Sequence, residues 1–140
     1  MLAQIVVGSV LIALTVIVEA AFIGIAIAAL RRFGAKIVTG RRIVKLIAFI
    51  TGMTLWMVAA LTIAVWLWAA AFLLLGLFPT LEEAVYFSAV SFTTLGFGDV
   101  LLDKPWRLLS GFIAANGLIL FSLTTAFLIE AVRGVHRDYG

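Results

Sequence analysis

The sequence predicts an all-α membrane protein with three transmembrane helices and a shorter re-entrant helix between the second and the third. Apolar residues make up 65% of the 140 residues and the mean hydropathy is +1.26, whereas soluble domains are about 45–50% apolar. Three apolar stretches exceed the roughly 20 residues that a helix needs to cross a bilayer. A glycine-rich segment lies between the last two stretches. The length suits one compact membrane module.

The apolar stretches divide the chain into five parts. They are an additional N-terminal transmembrane helix at residues 1–31, a basic linker at 32–45, an outer helix at 46–78 and an inner helix at 106–132, which with the segment between them form one unit at 46–132, and a short tail at 133–140. The first stretch lacks a basic start and is longer than the apolar core of a signal peptide, which has about 7–15 residues. We therefore expect it to remain in the protein as a membrane span.

The basic residues predict the orientation. Eight of the ten Lys and Arg residues lie around the linker or after the last span: Arg31, Arg32, Lys36, Arg41, Arg42, Lys45, Arg133 and Arg137. The other two, Lys104 and Arg107, lie on the opposite side. By the positive-inside rule, the linker and the C-terminus are cytoplasmic and the N-terminus is outside, in a multi-pass protein of the cell membrane. A basic linker can also bind nucleic acid, but beside two spans it is more typical of a topology signal that contacts anionic lipid headgroups. We expect membrane lipids as partners and no nucleic acid.

A short helix is predicted over residues 81–92. Thr80 and Glu83, three residues apart, form a capping-box pattern that starts a helix at Leu81. The helix would cover about 18 Å, and residues 94–98 would return about 16 Å if extended. Both lengths reach about halfway into a hydrocarbon core of roughly 30 Å. This arithmetic predicts a re-entrant segment that begins and ends on the outer face.

The segment 94–98 has glycine at alternate positions, Gly96 and Gly98. Alternate residues there must take backbone angles that are costly for side chains with a Cβ, and the strand can then aim its carbonyl oxygens at one axis. Rings of such carbonyls, one strand per subunit, replace the water shell of a potassium ion. A lipid-facing strand would leave costly unpaired peptide groups, so we expect several copies of the chain around a shared axis. The alternative is a glycine-rich turn joining two helices, which would not need a half-membrane helix before it.

Residues 94–99, Thr-Leu-Gly-Phe-Gly-Asp, resemble the selectivity filter of potassium channels, which is usually written T-V-G-Y-G-D. The motif follows a capped helix between two spans, and the similarity extends over residues 46–132. Residues 86–99 and 116–121 look most like small prokaryotic channels. The resemblance implies a homotetrameric channel that conducts K⁺ passively and selectively, with a pore helix at 81–92 and a filter at 93–99.

The resemblance also implies the residues that bind the ion. The filter residues are Thr94, Leu95, Gly96, Phe97 and Gly98. The backbone carbonyls of the first four are the implied ligands, and the Thr94 hydroxyl supplies the innermost ring. The expected bound ion is therefore K⁺ in the filter, with no organic cofactor and no small-molecule substrate.

Three further residues are expected to support the filter: Thr93, Tyr86 and Asp99. Phe97 replaces the usual tyrosine of the family and lacks the hydroxyl that ties the filter to its neighbours. Tyr86 either donates a hydrogen bond to Asp99 or is an interfacial aromatic residue.

The inner helix contains two candidates for a cavity or a hinge. Asn116 either faces a water-filled cavity or bonds across helices, and Gly117 is either a hinge or a site of close helix packing. Other polar side chains that are candidates for lining a cavity are Ser122, Thr124 and Thr125.

Glu19 is an acid within the first span. It lies 12 residues before Arg31, or roughly 18 Å inside the bilayer, where an acid usually faces protein or water. It is either a neutral carboxyl bonded to a neighbouring helix or a group that senses protons or contacts lipid. Candidate partners for the bonded form are Thr51, Thr54 and Thr62.

Other classes of function are less favoured. The chain has no second histidine, nucleophile elbow or phosphate loop, so we do not expect an enzyme, and the first span lacks the repeated arginines of a voltage sensor. Two alternatives stay open: a weakly selective cation channel, because of the changes at Leu95 and Phe97, and a non-conducting transporter or regulatory subunit. Two filter glycines in a single repeat favour the channel.

Overall fold

The computed structural model describes the backbone of residues 1–37 and 42–139, and the side chains of residues 1–32 and 43–134. The described chain consists of helices without strands: α1 (Leu2–Ile37), α2 (Arg42–Leu74), α3 (Leu81–Phe92), a short 3₁₀-helix (Lys104–Trp106) and α4 (Leu108–Tyr139). Helices α1, α2 and α4 are long and apolar enough to cross a membrane. The prediction of an all-α, multi-pass membrane protein is confirmed.

The outer helix ends four residues before the predicted boundary at residue 78. Helix α2 stops at Leu74 because Gly76 adopts a left-handed φ of +66°. The Leu77 amide then donates to the Phe72 carbonyl and the Gly76 amide to the Leu73 carbonyl, both at 2.9 Å. These two bonds form a Schellman motif, which terminates a helix at a glycine. The apolar composition continues to Phe78, and composition alone therefore predicted a helix that is too long.

The other boundaries differ less. Helix α3 begins at Leu81, as its capping pattern predicts, and ends at Phe92, where the glycine-rich segment follows. Helix α4 begins two residues later than expected because a 3₁₀ turn containing Pro105 precedes it. Helix extends into the predicted linker from both sides, since arginine and lysine are good helix formers. Residues 38–41 of the linker, and the side chains at 33–42 and 135–140, lie outside the described residues.

An aromatic cluster holds α3 against the end of α2. The Phe72 ring lies 5.9 Å from the Phe78 ring and 5.5 Å from the Phe87 ring. Phe78 and Phe87 are 5.1 Å apart, and Trp68 lies 5.7 Å from Phe72. Aromatic pairs of this kind contribute about 0.5–1.5 kcal/mol each beyond their buried area. Because the cluster includes residues from both helices and from the turn between them, it fixes the position of α3.

Helix α1 packs on α2 and α4 and runs parallel to α4. Near its start, the Gln4 side chain bonds to the Pro105 carbonyl and accepts from the Leu108 amide. Further along, Thr15 meets Asn116. The N-terminus of the chain therefore lies at the same end of the molecule as the segment before α4.

Candidate ion pathway

The start of α3 is capped as the sequence predicts. Thr80 has an extended backbone with φ −129°, and its hydroxyl oxygen accepts a hydrogen bond from the Glu83 amide at 3.2 Å. Glu82 and Glu83 lie in the first turn, where the positive end of the helix dipole stabilises negative charge. The opposite end of α3 consequently presents partial negative charge toward the segment that follows it.

The segment after α3 has an unusual backbone. Gly96 and Gly98 have φ values of +56° and +78°, which confirms the expectation for these two glycines. Thr94 has a φ of +60° and is the one non-glycine residue with positive φ in the described chain. In an ordinary strand successive peptide groups point to opposite sides. Left-handed residues at every second position reverse this alternation and turn successive carbonyls toward one side.

The amides of this segment point back to α3. Leu95 and Gly96 both donate to the Val90 carbonyl, at 3.0 and 3.3 Å, and Thr94 donates to the Ser91 carbonyl at 3.0 Å. Within the described part of the chain, no backbone hydrogen bond ends on a carbonyl of residues 94–97. The first three amides of the segment are thus bonded to α3, and the carbonyls of residues 94–97 are available.

Thr93 and Asp99 are tied to α3 at the two ends of the segment. The Thr93 hydroxyl donates to the Ala89 carbonyl at 2.8 Å, and the Tyr86 hydroxyl donates to an Asp99 carboxylate oxygen at 2.6 Å. This second bond lowers the pKa of Asp99 below its ordinary value and raises the pKa of Tyr86. Of the two alternatives for Tyr86, the structure contains the hydrogen bond. Asp99 therefore carries a negative charge at neutral pH.

The side chains of the segment face outward from the single chain. Leu95 is 57% exposed and Phe97 is 66% exposed. A pocket of about 260 Å³ lies between the segment, α3 and α4, and Val90, Gly96 and Asp99 contribute to its walls.

Gly117 lies where α4 meets the end of α3. A Cβ placed on Gly117 would lie 2.8 Å from the carbonyl carbon of Phe92 and nearer still to its oxygen. One turn further, the Phe121 ring packs on the Phe92 ring with centroids 5.6 Å apart. Gly117 is therefore a site of close packing, the second of its two predicted alternatives, and this packing places the carbonyl end of α3 beside the middle of α4.

Asn116 is fully buried and does not lie on an open face of the chain. Its side-chain amide donates to the Thr15 hydroxyl at 2.8 Å, and that hydroxyl lies 2.9 Å from the Ile12 carbonyl, to which it donates. The cavity alternative for Asn116 is therefore wrong, because the residue points toward α1 and bonds across helices.

The polar residues further along α4 divide between two faces. Thr124 is buried, whereas Ser122 and Thr125 are exposed and donate to the Leu118 and Phe121 carbonyls of their own helix. The exposed face forms a groove of about 450 Å³, lined by Leu118, Phe121, Ser122, Thr125, Ala126 and Ile129.

Glu19 is buried, and its partner differs from the predicted ones. The Thr124 hydroxyl of α4 donates to Glu19 Oε1. The candidates Thr51 and Thr54 are exposed, and Thr62 donates to the Val58 carbonyl of its own helix. The prediction of a bonded carboxyl is confirmed, but its threonine partners were wrong because the buried face of α1 meets α4 at this level.

Sequence reasoning missed Gln4 and Thr15 on α1. A signal was nevertheless present, because Gln4, Thr15 and Glu19 recur at helical spacing along a stripe that also contains Gly8 and Leu11, and all five are buried. Polar side chains on one face of an apolar span indicate the face that contacts protein.

The fold and the site define a helical membrane protein. Its short capped helix α3 is followed by a segment with available carbonyls, and this segment lies beside the membrane-length helix α4. A family model described as "Ion channel" matches residues 60–134, more than half of the chain. The protein belongs to this ion channel family. No curated protein and no solved structure matches the chain.

Proposed function

We propose that the protein is a potassium-selective channel that conducts K⁺ passively through a homotetrameric pore. The observation that carries the proposal is the backbone of residues 94–98. Positive φ at Thr94, Gly96 and Gly98 alternates along the segment, and the amides of Leu95 and Gly96 are bonded to α3. This leaves a row of carbonyl oxygens, the ligand set that replaces the hydration shell of K⁺ in selectivity filters.

Four copies of the segment would complete the ion site. One row of carbonyls forms a single wall and cannot surround an ion. The exposure of Leu95 and Phe97 supports assembly, because large apolar side chains beside a polar backbone are more stable against a neighbouring copy than in water. In the tetramer, the carbonyls of Thr94, Leu95, Gly96 and Phe97 bind K⁺, and the Thr94 hydroxyl faces the cavity.

The remaining parts of the proposed pore follow from the same arrangement. The segment between α2 and α4 is re-entrant from the outer face, and the exposed groove on α4 with Ser122 and Thr125 lines the inner cavity. Glu82, Glu83, Asp99 and Asp103 outweigh Lys104 and Arg107 at the outer end, which raises the local concentration of cations. By the positive-inside rule, the distribution of basic residues supports an N-terminus outside and a C-terminus in the cytoplasm.

Ion flux from the purified protein in liposomes tests the proposal. With a K⁺ gradient and a K⁺ ionophore control, we expect flux from the wild-type protein and from Gly111→Ala, and none from Gly96→Ala. Gly111 is a matched control because nothing lies within 4 Å of a Cβ placed there and its φ is not positive. Absence of flux from reconstituted wild-type protein would favour a non-conducting subunit.

Selectivity requires a separate measurement. Reversal potentials in mixed K⁺ and Na⁺ solutions would follow the K⁺ gradient if the carbonyl row fits K⁺. A reversal potential near zero under bi-ionic conditions would instead identify a weakly selective cation channel. Four-fold symmetry of the purified particle, with density along its axis, is the expected structural result.

A further inference from the structure

Polar bonds join α1 to α4 at three levels. At the outer end, Gln4 bonds to the segment before α4 and to its first amide. In the middle, Asn116 donates to Thr15, and further along Thr124 donates to Glu19. In an otherwise apolar interface, each such bond favours one relative position of the two helices.

Helix α1 is also attached to α2, independently of α4. The Trp56 indole donates to the Phe22 carbonyl at 3.0 Å, and the two rings lie 4.6 Å apart. Because the aromatic cluster joins α2 to α3, α1 connects α4 to the unit that α2 and α3 form. A force that moves α4 sideways must therefore break its bonds to α1 or displace α1 from α2.

The middle of α4 contains features that weaken a helix. Gly117 lowers the helical preference by about 1 kcal/mol relative to alanine. The Ser122 and Thr125 hydroxyls donate to carbonyls four residues earlier in α4, an arrangement that often bends helices. Even so, α4 is one continuous helix. The bonds to α1 lie on both sides of Gly117, one at Asn116 and one at Thr124.

We propose that α1 is a brace that holds the part of α4 beyond Gly117 in place and so opposes opening of the pore at its inner end. The inference rests on the proposed function, since it assigns α1 a role in controlling that pore. The backbone of Gly117 packs directly on the end of α3, so α4 is held there, and the contacts beyond Gly117 decide whether its inner part stays in place. Glu19 and Thr124 are positioning residues in this arrangement, and the bond between them restrains this inner part.

Single-channel recording of the full-length protein in planar bilayers tests the brace. Thr124→Val and Glu19→Leu each remove the bond while keeping side-chain size similar. We expect each to raise the ratio of open to closed time at least about fivefold, the factor that corresponds to one neutral hydrogen bond in one subunit. Combining the two should add little to the larger single effect, because both remove the same bond.

Glu19→Gln is the conservative variant, since its amide oxygen still accepts from the Thr124 hydroxyl. We expect wild-type opening from this variant. If it opens like Glu19→Leu, or if Thr124→Val and Glu19→Leu reduce stability without changing the open-to-closed ratio, the bond only holds α1 in place and the brace is refuted.

A distance measurement separates failure of the brace from failure of the proposed function. The chain has no cysteine, so spin labels can be attached at a cysteine pair, Ile47→Cys with Ile129→Cys, at the inner ends of α2 and α4. A second pair, Leu74→Cys with Leu108→Cys, reports the outer ends, and all four side chains are exposed. Labelled chains diluted into unlabelled protein report distances within one subunit, whether or not the protein conducts ions.

We expect Thr124→Val to broaden the distribution of distances between the labels of the inner pair. The distance distribution of the outer pair should stay unchanged. An unchanged inner pair, or an equal change in both pairs, overturns the brace even if ion flux is normal. A change confined to the inner pair supports the brace as a structural device even if the reconstituted protein conducts no ions.

Discussion

Replacement of Gly117 by alanine should be strongly destabilising. The added Cβ would lie 2.8 Å from the Phe92 carbonyl carbon, whereas carbon atoms pack best at about 3.5–4.0 Å. Helices α3 and α4 must therefore separate by roughly 0.7 Å or more. Overpacking typically costs about 1–3 kcal/mol. We expect the upper end, about 3 kcal/mol per chain, because the obstructing atoms belong to the backbone and no side chain can rotate away.

Two other glycines provide a graded comparison for the same chemical change. A Cβ on Gly8 would lie 2.5 Å from a ring carbon of Phe112 and 3.1 Å from its Cβ; because a side chain yields more readily than backbone, we expect an intermediate cost of about 2 kcal/mol. A Cβ on Gly111 would meet nothing within 4 Å, so Gly111→Ala should be neutral or slightly stabilising.

Unfolding by SDS in mixed detergent micelles, followed by circular dichroism, measures the free energies of all three variants. The expected order of destabilisation is Gly117→Ala, then Gly8→Ala, then Gly111→Ala. If Gly117→Ala unfolds at the same SDS fraction as Gly111→Ala, α4 does not pack directly on the end of α3 and the placement of the carbonyl segment loses its support.

The other predictions concern α3 and the segment after it. Thr80→Ala removes the cap of α3 and should lower the free energy of unfolding in the same SDS titration by about 1 kcal/mol. Thr80→Ser keeps a hydroxyl and should retain most of the stabilisation from the cap. Equal free energies of unfolding for the two variants would contradict the cap. Gly96→Ala forces a residue with a Cβ into a φ of +56°, at about 1–2 kcal/mol per chain, and should abolish flux while circular dichroism reports unchanged helix content. Flux at the wild-type level would show that this backbone is not required. Tyr86→Phe removes the hydrogen bond that lowers the pKa of Asp99. The stabilisation from this bond is fully present above the ordinary pKa of about 3.9 and is lost as the pH falls through the lowered pKa. The acid midpoint of the Asp99 carboxylate infrared band should therefore rise in Tyr86→Phe, and an unchanged midpoint would argue against the bond.

Short-range patterns predicted α3 well. Its first residue follows from Thr80 and Glu83, which lie three positions apart and form the cap by themselves. The end of α2 was equally readable, since Gly76 followed by Pro79 is a local stop signal, but the continuing apolar composition obscured it. Positive φ at Gly96 and Gly98 was predictable from residue type, whereas positive φ at Thr94 depends on the chain leaving α3 at that point.

The sequence by itself determined the membrane class, the three spans, the capped short helix and the glycine pattern after it, because these depend on composition and on residues a few positions apart. Only the tertiary structure decided that Glu19 bonds to Thr124, that Asn116 bonds to Thr15 and that Gly117 packs against Phe92. The first two bonds join residues 105 and 101 positions apart. Spans that are apolar on nearly every face do not specify which faces meet, so a few polar groups and glycines acquire their roles only when the helices pack together.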